Sequence, residues 1–265
     1  MASKPKKNAR YDLKAADRKR NLFVQISLTA VVVIFAVALV LYIVMSADEK
    51  PTAGEKRAVT VEASNVIKKE GTEEPKAVVS LYEDFLCPHC AALEQQFGPT
   101  IGKLIDSGAI AADYYMVAIL DRPQNKNYAS RAGAAAYCVA DESVDAFRRF
   151  NAALFAQQPG EMGADYPDNV RLIELARQAG AAGSVAECIN KGTYLNMVGG
   201  MASATGIKST PTIRINGEDY QYSTPEALVA KIREIVGDVP ALDAVAPAPA
   251  PAPAPVPAPA PGPAS

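Results

Sequence analysis

"YEDFLCPHC", Tyr82 to Cys90, holds two cysteines with two residues between them and the only histidine in the 265-residue chain. Such a spacing serves three chemistries: metal binding, a staple across a loop, or disulfide exchange with other proteins. The flanking sequence decides which fold carries it. Upstream, "AVVSLYEDF" (Ala77–Phe85) is apolar at both parities, as in a central strand buried on both faces. Downstream, a helix is predicted from Pro88, with Leu93, Phe97, Ile101, Leu104 and Ile105 on one face. Pro88 suits the first helical turn, where a missing N–H costs nothing. Pro99 lies inside the pattern and is expected to kink it. "AIAADYYMVAIL" (Ala109–Leu120) reads as a second strand. Cys87 and Cys90 therefore fall at the strand-to-helix junction of a β-α-β unit.

A helical stretch follows over about residues 127–205. Ser143 opens one periodic run, with Val144, Phe147, Phe150 and Leu154; Asp168 opens another, with Leu172, Ile173 and Ala176. Ser184 and Glu187 have the spacing of a capping box before a short helix that carries Cys188 and ends at Gly192. "TPTIRINGEDYQY" then places Asn216-Gly217 between two β-prone runs, the signature of a type I′ hairpin. "STPEALVAKIREIVG" supplies a last helix, capped by Ser223 or Thr224, with Pro225 in its first turn and Gly237 at its end. The order is β-α-β, helical insertion, β-β-α, over a folded domain of about 59–238.

Outside that domain the composition changes sharply. Residues 1–21 carry eight Lys and Arg against Asp12 and Asp17, and Leu22–Met45 then runs for 24 residues without a charge. As a helix that run is roughly 36 Å long, enough for a hydrocarbon core of about 30 Å. It is too long for a cleaved signal, and Met45-Ser46-Ala47-Asp48 makes a poor small-residue cleavage site. A retained transmembrane helix over 22–45 is expected, with 1–21 cytoplasmic and the rest, after a 46–58 linker, outside the cytoplasm. All four cysteines then lie where disulfides persist. Residues 239–265 read as a disordered Ala/Pro-rich tail; nine of the chain's 20 prolines fall between Pro247 and Pro263. A net charge of -2 gives no reason to expect nucleic acid as a partner.

The element order, the C-P-H-C at the head of the first long helix and Thr210-Pro211 before a hairpin resemble the thioredoxin fold with an inserted α-helical domain. "FLCPHC" looks like the active site of the DsbA-like thiol-disulfide oxidoreductases. With the anchor and the extra pair Cys138 and Cys188, the chain resembles their membrane-anchored actinobacterial members. That resemblance covers about residues 59–238. It implies a cis Thr210-Pro211 bond facing the cysteines, and a membrane protein, DsbB-like or vitamin-K-epoxide-reductase-like, that reoxidises the dithiol. It also exposes a departure: the family's acidic side chain six residues before the first cysteine is here Leu81. Glu83 shares the strand parity of Leu81 and is the candidate to move protons in its place.

Exchange needs one thiolate that attacks or leaves and a second thiol within reach of it. Cys87 at a helix N-terminus gains from the unpaired N–H groups and the macrodipole. Cys90, one turn in, is the resolving thiol, and a protonated His89 favours the Cys87 thiolate further. Two thiols need no cofactor, and a metal is not expected, because structural sites take four ligands and no second Cys/His cluster exists. Four cysteines allow three pairings; Cys87 with Cys90, and Cys138 with Cys188 as a structural bridge, is the favoured one. A reductase or isomerase of the same fold, or a surface protein with two structural disulfides, uses the same residues. The preferred reading is an oxidase for reduced exported proteins.

Overall fold

The computed structural model describes residues 24, 26–40, 50–160, 163, 165–239, 242 and 245. It divides into two units, Met1–Lys50 and Pro51–Ser265. In the first, residues 26–40 form a helix (α1) with exposed apolar side chains such as Val31, Ile34 and Phe35. Among the described residues no helix is long and apolar enough to cross a membrane. The basic segment 1–21 and positions 22, 23, 25 and 41–45 of the expected span lie outside them, as do 46–49 of the linker and 246–265 of the tail.

The second unit is built on the strand expected before the cysteines. That strand, β2 (Val78–Glu83), runs parallel to β3 (Ala111–Met116) and antiparallel to β4 (Thr212–Ile215). Five of its six residues are buried, as the apolar content at both parities requires. β5 (Glu218–Asp219) closes one edge through the Asn216-Gly217 turn, where both residues have positive φ, 51° and 86°. That is the backbone of a type I′ turn. The Asn216 side chain also ties the turn to β2, accepting from the Val78 N–H at 2.8 Å and donating to the Lys76 carbonyl at 3.2 Å. The other edge is β1 (Val59–Val61), antiparallel to β3, giving the order β1-β3-β2-β4-β5. β1 was not foreseen; three residues are too few to display a period.

α2 (Pro88–Asp106) leaves β2 through the C-P-H-C turn and continues past Pro99 as one helix. Its buried face is Cys90, Leu93, Phe97, Ile101, Leu104 and Ile105, and it packs on α8 (Pro225–Val236). The insertion between β3 and β4 comprises α3 (Tyr128–Glu142), α4 (Val144–Ala156), α5 (Asn169–Gln178), α6 (Val185–Lys191) and α7 (Leu195–Thr205). Ser143, Asp168 and Thr224 cap α4, α5 and α8 by accepting the N–H of Ala146, Arg171 and Ala227. The expected capping box at Ser184 does not form. Its backbone is helical (φ -82°, ψ -4°), so its hydroxyl accepts no N–H from α6. Gly133 lets α3 approach its neighbours, since a Cβ there would meet Val198 Cγ1 at 2.8 Å.

Two boundaries differ from expectation. The end of the 46–58 linker is held on the insertion through Arg57. Arg57 pairs with Asp141, donates to the Tyr194 hydroxyl at 2.8 Å and lies over that ring, while its carbonyl accepts from the Tyr137 hydroxyl at 2.6 Å. Ordered packing also runs beyond 238, because Leu242 and Val245 are buried in the core.

Cys138 on α3 and Cys188 on α6 form a disulfide across 50 residues of sequence, with Cα atoms 5.8 Å apart. It closes the insertion on itself. The double variant Cys138→Ala/Cys188→Ala is expected to lose about 2–4 kcal/mol of unfolding free energy in urea. Its Cys87 reactivity at pH 6 should match the parent chain, and a loss of that reactivity would assign the bridge a role beyond stability.

Candidate active site

The strand end, the helix start and the loop before β4 meet at one point. Cys87 is the N-cap of α2 with an extended backbone (φ -78°, ψ 115°), and Pro88 begins the first turn. Cys87 exposes 4% of its surface and Cys90 none; both are free thiols. Across from them the Thr210–Pro211 bond is cis, and the Thr210 carbonyl lies 3.4 Å from Cys87 Sγ. That carbonyl accepts the proton of a thiol, so by itself it favours the neutral form of Cys87.

Other groups outweigh it. The Cys90 thiol hydrogen-bonds to Cys87 Sγ and, with the Thr210 side chain and the N–H groups of Cys90 and His89, lowers the Cys87 pKa to about 5 against the cost of burial. Sγ accepts no full capping hydrogen bond; these N–H groups act on it as the positive end of the helix. Cys90 is pushed far the other way, mainly by burial, then by its hydrogen bond to Cys87 and the neighbouring charge of Glu83. The two sulfurs, one helical turn apart, are thus a stabilised thiolate and a reluctant thiol.

Behind Cys90 lie two carboxyl groups. Glu83 is fully buried at the end of β2, and neither of its oxygens meets an N–H or hydroxyl donor. It faces Glu94 on α2, and burial together with that neighbouring charge holds its pKa well above the carboxylate range. Glu94 is raised by burial too, less so because Glu83 and Asn151 hydrogen-bond to it; Asn151 Nδ2 donates at 3.3 Å. A buried carboxyl group with no hydrogen-bond donor favours its protonated form. Glu94 also lines a cavity of about 520 Å³ between α2 and α4, with Tyr114, Arg148 and Asn151 around it. Asp84, next along, is structural: its carboxylate accepts from Leu86 N at 2.8 Å and Leu120 N at 2.9 Å, and burial lifts its pKa to about 6.

A thioredoxin family model matches residues 68–234. The chain belongs to the thioredoxin family. Among solved structures, reduced DsbA from Mycobacterium tuberculosis is 60% identical, with a TM-score of 0.70, over 71% of this chain and 96% of that one. MdbA, a thiol-disulfide oxidoreductase from Corynebacterium diphtheriae, is 24% identical with a TM-score of 0.55, over 69% and 96%, and so shares the fold. The serine/threonine-protein kinase PknE of Mycobacterium tuberculosis is 29% identical over 129 residues, 47% of this chain and 23% of the kinase. The chain thus spans about a quarter of that relative's length. With its dithiol at the head of α2, this thioredoxin-family chain is a DsbA-like thiol-disulfide oxidoreductase.

Every site residue named from the sequence, apart from the distant Cys138 and Cys188, gathers at this junction. His89 meets Cys87 through its backbone N–H, and its ring is on the exposed side. Leu81 is buried between Tyr114 and Ile213 of the flanking strands, two positions before Glu83 on the same strand face. Glu94 was missed, although it follows Cys90 by four residues and must share its helix face. Tyr222 was missed as well; it packs edge-on against Phe97 and lies within electrostatic reach of both thiols. Among the described residues no group of three or more His, Cys, Asp or Glu side chains is arranged to hold a metal.

These values fix a pH response. Cys87 is expected to alkylate with a midpoint near pH 5, where an ordinary thiol has about 8.5. Its folded pKa is depressed, so the stability it adds to the reduced form is full above the unfolded pKa. That contribution is lost as pH falls through about 5. The disulfide form has no such group. Urea unfolding of both forms at pH 8, 6 and 4.5 should show the reduced form's advantage shrinking, and an advantage that grows toward acid would contradict the assignment.

Proposed function

We propose that this chain is a membrane-anchored oxidase outside the cytoplasm, which donates the Cys87–Cys90 disulfide to reduced exported proteins. The observation that carries the direction is the contrast between the Cys87 and Cys90 thiols. Stabilising negative charge on Cys87 favours the reduced protein alone, because the disulfide is neutral, and so makes that disulfide the better oxidant. The anchor and its orientation rest on the charge-free run 22–45 and the cations before it.

A substrate thiolate attacks Cys87 Sγ, the Cys87–Cys90 bond breaks, and Cys90 leaves as a thiolate. Glu83, whose burial favours its protonated form, supplies the proton that Cys90 requires, and Glu94 relays its replacement from the cavity. The second substrate thiolate then attacks its own sulfur in the mixed disulfide. It forms the substrate disulfide and releases the stable Cys87 thiolate. Two electrons pass from substrate to enzyme, and a membrane reoxidase, DsbB-like or vitamin-K-epoxide-reductase-like, removes them.

The test is oxidation of a reduced, unfolded substrate by the purified chain, set against its reduction of insulin. Oxidation is expected to dominate, and Cys87→Ser to abolish it; predominant insulin reduction favours the reductase reading. Cys90→Ala should accumulate a mixed disulfide through Cys87. Glu83→Gln should slow the first step, followed by acid quench, at least about tenfold. The alkylation midpoint of Cys87 should not rise, because the Glu83 carboxylate and the Cys87 thiolate repel each other. An unchanged first step would remove Glu83 from the mechanism. Fractionation places the anchor: recovery of the full chain in a salt-washed membrane pellet is expected, and recovery in the soluble fraction opposes it.

A further inference from the structure

A polar side chain of the insertion reaches the active-site turn. α4 ends at Ala156, and two residues later Gln158 Nε2 lies 3.0 Å from the Cys87 carbonyl and 3.1 Å from the Phe85 carbonyl. Both partners are acceptors only, so the amide must present its NH2 group to them. Beside these bonds Phe155 packs on Phe85, with ring centroids 4.7 Å apart. The Cys87 carbonyl already accepts the N–H of Cys90 at 3.0 Å and of Ala91 at 3.2 Å. Gln158 is thus a further donor, on the residue that carries the thiolate, supplied from 71 positions away.

We infer that Gln158 is a positioning residue for disulfide exchange. Its two N–H groups fix the Phe85–Cys87 turn against the insertion and keep the Cys87 sulfur aligned with the head of α2. The positive ends of these N–H dipoles face the turn. They favour negative charge on Cys87 in the reduced protein and do little for the neutral disulfide. Charged and titratable groups from the packed elements also bear on this sulfur: Glu83 from the end of β2, Asp84 from the turn after it, and Cys90 from α2 itself. Tyr222 approaches from the loop before α8. Among these side chains, Gln158 acts from the insertion and without charge of its own. The sequence gives it no motif, since "AQQPG" reads only as a helix end.

The test uses the full chain, and rests on the exchange chemistry of Cys87. The unsubstituted protein is therefore equilibrated first with glutathione, where disulfide plus two glutathione thiols gives dithiol plus glutathione disulfide. Failure to exchange there would overturn the exchange reading whatever position 158 does. Given exchange, Gln158→Ala is expected to raise the Cys87 alkylation midpoint by roughly half a pH unit and to lower the equilibrium constant for reduction about threefold. Gln158→Glu keeps the shape, removes the N–H donors and adds a charge at neutral pH, and should raise the midpoint further. Arg171→Ala is the control: it frees Gln157, held at 2.7 Å at the same helix end, and leaves the Gln158 donors in place. Its midpoint should match the parent. The inference fails if Gln158→Ala lowers thermal stability with midpoint and equilibrium unchanged, or if Arg171→Ala moves them equally. Should Gln158→Ala not fold, Gln158→Glu against Arg171→Ala decides by the same readings.

Discussion

One turn of helix separates a sulfur at the positive end of α2 from a sulfur in the core, and the rest of the domain serves that difference. Cys87 needs backbone N–H groups aimed at its sulfur, which the head of a helix supplies. Cys90 needs exclusion from water, which the packing of α2 on α8 and the sheet supplies. Each pKa unit between thiol and thiolate is worth 1.36 kcal/mol, so lowering the Cys87 pKa to about 5 stabilises the reduced state. Because the disulfide carries no charge, the whole of that electrostatic work falls on the reduced state.

This requirement explains why β2 is the most enclosed strand. A turn that places a sulfur to within a hydrogen-bond length of Thr210 must rise from a rigid base. β2 is hydrogen-bonded on both sides and covered on both faces, with Tyr82 stacked on Tyr115 at 4.6 Å on the face opposite Glu83. The carboxylate of Asp84 then fixes the turn by binding N–H groups on both of its flanks. Burial of that carboxylate is the cost, visible in its raised pKa, and the two N–H donors offset it in part.

What could be read from the sequence was what local chemistry writes. The strand-turn-helix around Cys87 showed as a change of hydrophobic period, the hairpin as Asn216-Gly217, and three helix starts as Ser143, Asp168 and Thr224. The features that escaped depend on where distant chain comes to rest. β1 is a strand only because β3 is beside it. Arg57 looks like linker until Asp141, Tyr137 and Tyr194 surround it. Leu242 and Val245 look like the start of a tail, yet the core has room for them. Ser184 shows the reverse case, a correct local pattern overruled because its backbone was already helical.

Glu83 lies between these cases, and it shows how two periodicities combine. Two positions along a strand preserve the face and change the height by about 7 Å, so Glu83 sits on the face of Leu81 and closer to the turn. At that height the face looks onto α2, where the residue four after Cys90 is Glu94. A lone buried carboxyl group could hold a proton for Cys90 but would recover one slowly, being closed off from water. Glu94 is buried against it on one side and borders the cavity between α2 and α4 on the other. The strand repeat of two places Glu83 behind Cys90, and the helix repeat of four places Glu94 between it and the cavity.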